Sequence, residues 1–220
     1  MAIDLTLNVQ FVFGFSGNTT IDKPTDTVDG DFLLASCYHQ SPDAHSAPDE
    51  TWTQIATFTQ TVYGSMRQTL YYKRAGASEP ANYTFGTTST HSVWLQRITD
   101  VVASGDPIDA GGLSYSPANT NVWNYEGGTV SCASITTVNA GAAIILAGAH
   151  ITATACSSTT LTAVRVTGNR QGAGEGIQAI AGATGAHSIT FNDTHYHMGV
   201  MFALKPAAGR THNPVPVFKG

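Results

Sequence analysis

From Leu5 to Phe15 apolar and polar residues alternate, with Leu5, Leu7, Val9, Phe11, Phe13 and Phe15 on one side and Thr6, Asn8 and Gln10 on the other. That period of two is the mark of a half-buried strand. A loop follows over Gly17-Asn18 and Asp22–Asp29, with Gly30-Asp31 as the turn into the next run. Phe32–Tyr38 is apolar almost without a break, which predicts a central strand covered on both faces. His39–Glu50 carries Pro42 and Pro48 and reads as a loop. Trp52–Gln60 and Gln68–Arg74 read as successive strands joined around Gly64-Ser65. Asn82–Phe85 and His91–Thr99 follow the break at Glu79-Pro80.

Gly105–Thr120 holds Asp106-Pro107, Gly111-Gly112 and Ser116-Pro117, and this turn chemistry predicts an irregular excursion. A second series of strands is expected over Thr129–Val138, Ala142–Thr152, Leu161–Val166, Gly176–Ala181, Ser188–Asn192 and His197–Leu204. Gly172-Ala173-Gly174-Glu175-Gly176 reads as a flexible loop between two of them. No stretch keeps a helical period, and no internal repeat can be read from the letters. The expectation is an all-β chain: a single antiparallel β-sandwich, jelly-roll-like, over residues 1–205. Residues 206–220, with Pro206, Pro214 and Pro216, are expected to form an extended C-terminal arm.

Composition agrees. In this 220-residue chain 42% of residues are hydrophobic and only 11% charged, and Thr, Ser, Asn and Gly supply the polarity. Thr suits a pleated, half-exposed surface. Ten Lys and Arg against fifteen Asp and Glu, a net charge of −5, argue against nucleic acid as a partner. A surface this poor in charge also lacks the usual guard against association, and two readings fit it: a polar Thr/Ser surface, or coverage by neighbouring subunits. The N-terminus has no basic, apolar leader, and Ala140–Ile151 is too short and too rich in Gly and Ala to span a bilayer, so no membrane role is expected. Cys37, Cys132 and Cys156 lie in strand-like sequence and read as buried thiols.

Catalytic motifs are missing from the sequence. There is no Gly-x-Ser-x-Gly elbow, and Glu50, Glu79, Glu126 and Glu175 all sit in turn-like surroundings. Two groups invite a metal reading: His195 and His197, which would share a strand face with Asp193, and the turn acids Asp22, Asp26, Asp29, Asp31, Asp106 and Asp109. The His spacing lacks a third ligand, and Asp beside Gly or Pro is turn chemistry, so the expectation is no cofactor and no enzyme. Trp52 and Trp94 fall within strands and are expected in the core. Tyr115, Trp123 and Tyr125, with Asn119, Asn121 and Asn124 nearby, are the candidates for stacking on a ligand.

The order of phrases adds a resemblance. Asp29-Gly30-Asp31-Phe32-Leu33-Leu34-Ala35 is followed by Trp52-Thr53, Leu70-Tyr71-Tyr72-Lys73-Arg74-Ala75, Glu79-Pro80, Tyr83-Thr84-Phe85, Asp106-Pro107-Ile108-Asp109 and Phe202-Ala203-Leu204-Lys205-Pro206. This succession resembles the β-sandwich virion proteins of bacteriophages, over about Ile3 to Lys205. It departs at Gln96-Arg97-Ile98-Thr99-Asp100, where the family often has a glycine-containing turn. Within the phrases, Gly30 supplies a turn, Asp31 is expected to accept backbone N–H groups, Lys73 to face solvent and Glu79-Pro80 to pin a turn. The resemblance implies a virion structural protein assembled in the host cytoplasm. The leading expectation is a capsid decoration (cement) protein, a homodimer or homotrimer bound to the major capsid protein. Its contacts would come from Leu5, Leu7, Pro206, Pro214, Val215, Pro216 and Phe218. The alternative is a tail-associated receptor-binding protein that recognises host carbohydrate through Tyr115, Trp123 and Tyr125.

Overall fold

A computed structural model describes residues 3–5, 8–15, 17–43, 45–60, 66–86, 89–116 and 128–208. The described residues are all-β and stack as a sandwich of antiparallel sheets. In the first half the strands are β1 (Val9–Gly14), β2 (Thr19–Asp22), β3 (Phe32–His39), β4 (Thr53–Gln60), β5 (Met66–Arg74), β6 (Asn82–Phe85) and β7 (His91–Ile98). In the second they are β8 (Ile108–Ser116), β9 (Thr129–Cys132), β10 (Thr136–Thr137), β11 (Ala142–His150), β12 (Cys156–Thr159), β13 (Ala163–Gly168), β14 (Gln171–Gln178), β15 (Gly182–Ala183), β16 (His187–Phe191) and β17 (His197–Leu204). Each half forms its own five-stranded sheet, ordered β1-β7-β3-β5-β4 and β8-β17-β11-β14-β13.

These two orders are the same order. With β1 matched to β8, β3 to β11, β4 to β13, β5 to β14 and β7 to β17, every neighbour relation is repeated. The outer covers repeat as well, β2 on β6 and β9 on β16, each with a threonine pair facing across the strands: Thr20 with Thr84 at 2.9 Å, Thr129 with Thr190 at 3.2 Å. Even register is kept. Phe32↔Ile98 through His39↔His91 recurs as Ala143↔Leu204 through His150↔His197. The bulge between Gln54 and Ala56 recurs between Val164 and Val166, each against the equivalent residues of the neighbouring strand. Gly30 and Gly141 both precede the central strand at positive φ, 87° and 79°, where a side chain would be strained. The chain is thus a tandem structural repeat. Strands β10, β12 and β15 are additions to the second half.

The repeat explains the burial. The two five-stranded sheets pack face to face around the main core, and each is covered outside by its own small sheet. Strands β3, β11 and β17 are therefore buried along their whole length on both faces, as the unbroken apolar run Phe32–Tyr38 predicted. Across the main core, size is complementary. Phe32, Tyr38, Leu70 and Trp94 of the first half occupy positions whose counterparts are Ala143, Ala149, Ala173 and Val200. Bulky residues from one sheet thus meet space left by small ones in the other. A polar peg sits among them. Gln171 Nε2 donates to the Ser92 carbonyl at 2.7 Å and to Ser92 Oγ at 3.0 Å, Ser36 Oγ donates to Gln171 Oε1 at 2.6 Å, and Gln68 Nε2 donates to Ser36 Oγ at 2.9 Å.

Several expectations need correcting. Consecutive strands of each large sheet come from one half of the chain, so the connectivity is not that of a jelly roll, whose chain passes between the two main sheets. Gly105–Thr120 is not wholly irregular: Ile108–Ser116 is the edge strand β8, and Gly112 lies in it at positive φ of 73°. The Gly172–Gly176 run is no loop but the middle of β14, buried over its first six residues. Its glycines admit the outer cover: a Cβ on Gly172 would lie 2.5 Å from the Cβ of Cys156. Lys73 is buried under β6, its ammonium 2.9 Å from Glu79 and above the rings of Trp52 and Tyr83. Of the arm, Pro206 bridges to Val101 and Ala207 N–H donates to the Asp100 carbonyl, and residues from 209 onward lie outside the described residues. Asp4 bridges to Thr99 in the same neighbourhood.

Two tests follow. Residues 1–103 and 104–220, expressed together as separate chains, should copurify and regain the near-ultraviolet circular dichroism of the intact protein, because the main core lies between them. Either fragment alone should aggregate. Gln171→Ala should lower unfolding free energy by about 2–3 kcal/mol, since it takes the buried acceptor from Ser36 Oγ and the amide donor from Ser92 Oγ. Urea denaturation checks this, and the loss should shrink in a Ser36→Ala background.

Candidate functional site

Matching the halves exposes a shared polar signature at one end of the sandwich. His39, Arg67, Gln68 and His91 are matched by His150, Arg170, Gln171 and His197 at the same register positions. The two ends meet: the Arg170 guanidinium lies over the ring of Phe13, one residue from Gly14, which pairs with His91. Each histidine ties a loop to its strand. His91 Nδ1–H donates to the Ser89 carbonyl at 2.7 Å, and His197 Nδ1–H donates to the His195 carbonyl at 3.2 Å, both two residues back. His39 Nε2–H donates to the Asp43 carbonyl at 2.7 Å. His150 Nδ1 instead accepts from the backbone N–H groups of Thr152 and Ala153, at 3.2 and 2.9 Å.

Those acceptor bonds require a neutral imidazole. Burial also disfavours the charge, and it brings His150 down to about 4. Burial lowers His39, His45 and His197 in the same direction, and the ring of His45 lies tilted against His39 with centroids 3.8 Å apart. The arrangement clamps loops, and desolvation favours the neutral form of His39, His45, His150 and His197.

The metal candidates separate. His195 Nδ1 pairs with Asp193 at 2.6 Å, while His197 is buried and turned to backbone. Asp31 accepts from Arg97 at 2.5 Å and from Val28 N–H at 2.8 Å. Asp106 accepts from Ile108 N–H, and buried Asp109 accepts from Val138 and Asn139. No group of three potential ligands converges among the described residues. Cys37, Cys132 and Cys156 are buried thiols, as their strand setting predicted, and burial raises all three. Trp52 and Trp94 lie in the core.

Of the expected contact residues, Leu5 is 6% exposed and belongs to the protein's own main core. Tyr115 is half-buried in β8, its ring edge-on to Phe58 at 5.1 Å, so it also serves the seam between the sheets. Pro206 is partly exposed beside Val101. Leu7, Trp123, Tyr125, Pro214, Val215, Pro216 and Phe218 lie outside the described residues, as do Asn119, Asn121 and Asn124.

Concavities flank the sandwich on both seams, and two of them are counterparts. One of about 280 Å³ is lined by Ile3–Leu5, Arg165, Glu175 and neighbours. Its bulge residue Arg165 reaches the buried Glu175 at 3.0 Å, and burial lifts that carboxyl to about 7 against the pull of Gln96 and Arg165. The other, about 740 Å³, has Ile55 at the bulge and Tyr72 where Glu175 would be, with Gln54, Asp106, Ile108, Leu113 and Lys205 around them. Nothing in the sequence marked this cleft, because its walls are edge strands from opposite halves and its shape depends on a bulge.

Comparison of the chain with protein-family models, with curated proteins and with solved structures gave no match. The likeness to phage sandwich proteins therefore rests on the quoted phrases alone.

The neutral histidines set a pH dependence. A histidine whose folded pKa is depressed leaves the unfolded chain to take the proton first, so stability should fall as pH drops below about 6.5. For His150 the loss continues to about 4 and amounts to on the order of 3 kcal/mol. Glu175 opposes this between about 7 and the ordinary carboxylate range, because the folded state there holds the extra proton. Urea midpoints measured from pH 7.5 to 4.5 should decline. His150→Gln should flatten the decline and Glu175→Gln should steepen it.

Proposed function

We propose that the protein is a bacteriophage virion component of the capsid-decoration type, which binds and stabilises the lattice of the major capsid protein. The observation that carries this reading is the tandem repeat. β1 and β13 meet at one seam while their counterparts β8 and β4 meet at the other, so the halves exchange through an approximate twofold axis between the sheets. A body of that kind presents two similar surfaces from one chain. It suits the bridging of two copies of one lattice subunit, each seated on one half. The repeat supplies internally the symmetry that a homodimer would otherwise provide.

The polar interior supports a binding role over a catalytic one. Asp31, Asp109, Glu79 and Glu175, the buried or nearly buried carboxylates, each hold strands or turns through ion pairs or backbone N–H groups. A low surface charge favours extended contact with a protein lattice, where desolvating few ions keeps association favourable.

Purified protein should cosediment with capsids that lack it, at one chain for each pair of capsid subunits, and should raise the temperature at which those capsids open. Absence of cosedimentation, together with blocked adsorption of phage to host cells, would transfer the role to the receptor-binding alternative.

A further inference from the structure

The seam clefts are equivalent in backbone and opposite in content, and the difference points to a ligand. On the closed seam an ion pair narrows the notch to about 280 Å³: Arg165, set at the bulge, meets Glu175. On the open seam the same bulge presents Ile55, and Tyr72 stands at the position of Glu175. Bulges re-aim side chains, and here one backbone device serves closure on one side and an open apolar wall on the other. The resulting space, about 740 Å³, falls within the range of small-molecule sites.

Its lining defines the class. Ile55, Ile108 and Leu113 give an apolar floor. Tyr72 is braced by Phe32, ring centroids 5.2 Å apart and planes within 16°, so its orientation is fixed before anything binds. Gln54 is exposed on the edge strand β4. Asp106 is exposed too: one of its carboxylate oxygens is held by Ile108 N–H at 2.9 Å, and its carbonyl accepts from Lys205 Nζ at 2.9 Å. Asp109 lines the cleft as well, but its carboxylate is buried and taken up by Val138 and Asn139, which leaves Asp106 and Lys205, one acid and one base, as the charges of the rim. An oriented aromatic ring, an apolar floor and a rim of fixed donors and acceptors match a neutral polyhydroxylated ring, with C–H faces for the floor and hydroxyls for the rim. We propose that this cleft binds neutral oligosaccharide. The site stands apart from the capsid reading and uses none of Tyr115, Trp123 or Tyr125.

The test is a glycan array followed by amide-shift mapping of the labelled protein with the best neutral oligosaccharide. Shifts should concentrate at Gln54, Ile55, Tyr72 and Leu113. Ile55→Arg, which installs the closed seam's bulge residue, should weaken binding by roughly tenfold or more. Gln54→Ala, on an exposed position that does not threaten the fold, should weaken it several-fold. Arg165→Ile on the closed seam should leave affinity unchanged, and thermal melts confirm that each variant is folded. The proposal is overturned if no neutral glycan binds at millimolar concentration, if the shifts map elsewhere, or if both β4 variants bind as the parent does. Capsid cosedimentation is read separately, so either outcome can fail alone.

Discussion

The contact between the two five-stranded sheets governs the rest of this molecule. Each sheet is made by one half of the chain and has two apolar faces, and only the pairing of the halves removes both inner faces from water. Phe32, Tyr38, Leu70 and Trp94 need the space left by the alanines and Val200 opposite, so one half cannot be repacked without the other. Apolar burial is non-directional and would tolerate sliding of one sheet over the other. Gln171 removes that freedom. Its amide reaches Ser36 and Ser92 across the core, and any shift would leave buried polar groups without partners. The seam clefts inherit their shape from this registration, because each is walled by edge strands of both halves.

Equivalence of the halves also separates what the backbone requires from what a particular site uses. The positive-φ glycines Gly30 and Gly141, the two bulges and the loop-tying histidines His91 and His197 recur, and all serve geometry. The residues that differ are the informative ones: Ile55 against Arg165, and Tyr72 against Glu175. One seam uses charge to close itself in the protein interior, where a buried ion pair needs its own hydrogen-bond partners to be favourable. The other leaves an apolar, aromatic wall. Divergence within one chain thus replaces the comparison between proteins that would ordinarily locate a site.

Much of the fold was legible in the letters. The unbroken run Phe32–Tyr38 announced burial on both faces, and Asn82–Phe85, Ser188–Asn192 and His197–Leu204 fell close to where the strands lie. Gly172–Gly176 was misread because glycine usually marks a turn, whereas here it makes room for Cys156 and Thr159 of the outer cover. Lys73 was misread because its burial depends on β6 arriving from further along the chain. The repeat itself was hidden. Its identities are sparse, among them Gly30 and Gly141, the two histidine pairs, Arg67-Gln68 with Arg170-Gln171, and Thr84-Phe85 with Thr190-Phe191, separated by connections of unequal length. The open cleft left no linear signal at all, since Ile55 and Leu113 meet only after the sheets have packed.

The two isolated bridges near the middle of the chain have a topological consequence. Asp4 pairs with Thr99 and Pro206 pairs with Val101, so the beginning of the body, its end and the crossing between its halves converge in one place. Covalent order there is nearly incidental to the architecture. A circular permutant opened between Val102 and Asp106, with the old ends joined by a short linker, would keep every sheet pairing while exchanging which half is synthesised first. In this body the sequence of manufacture and the final geometry are separable.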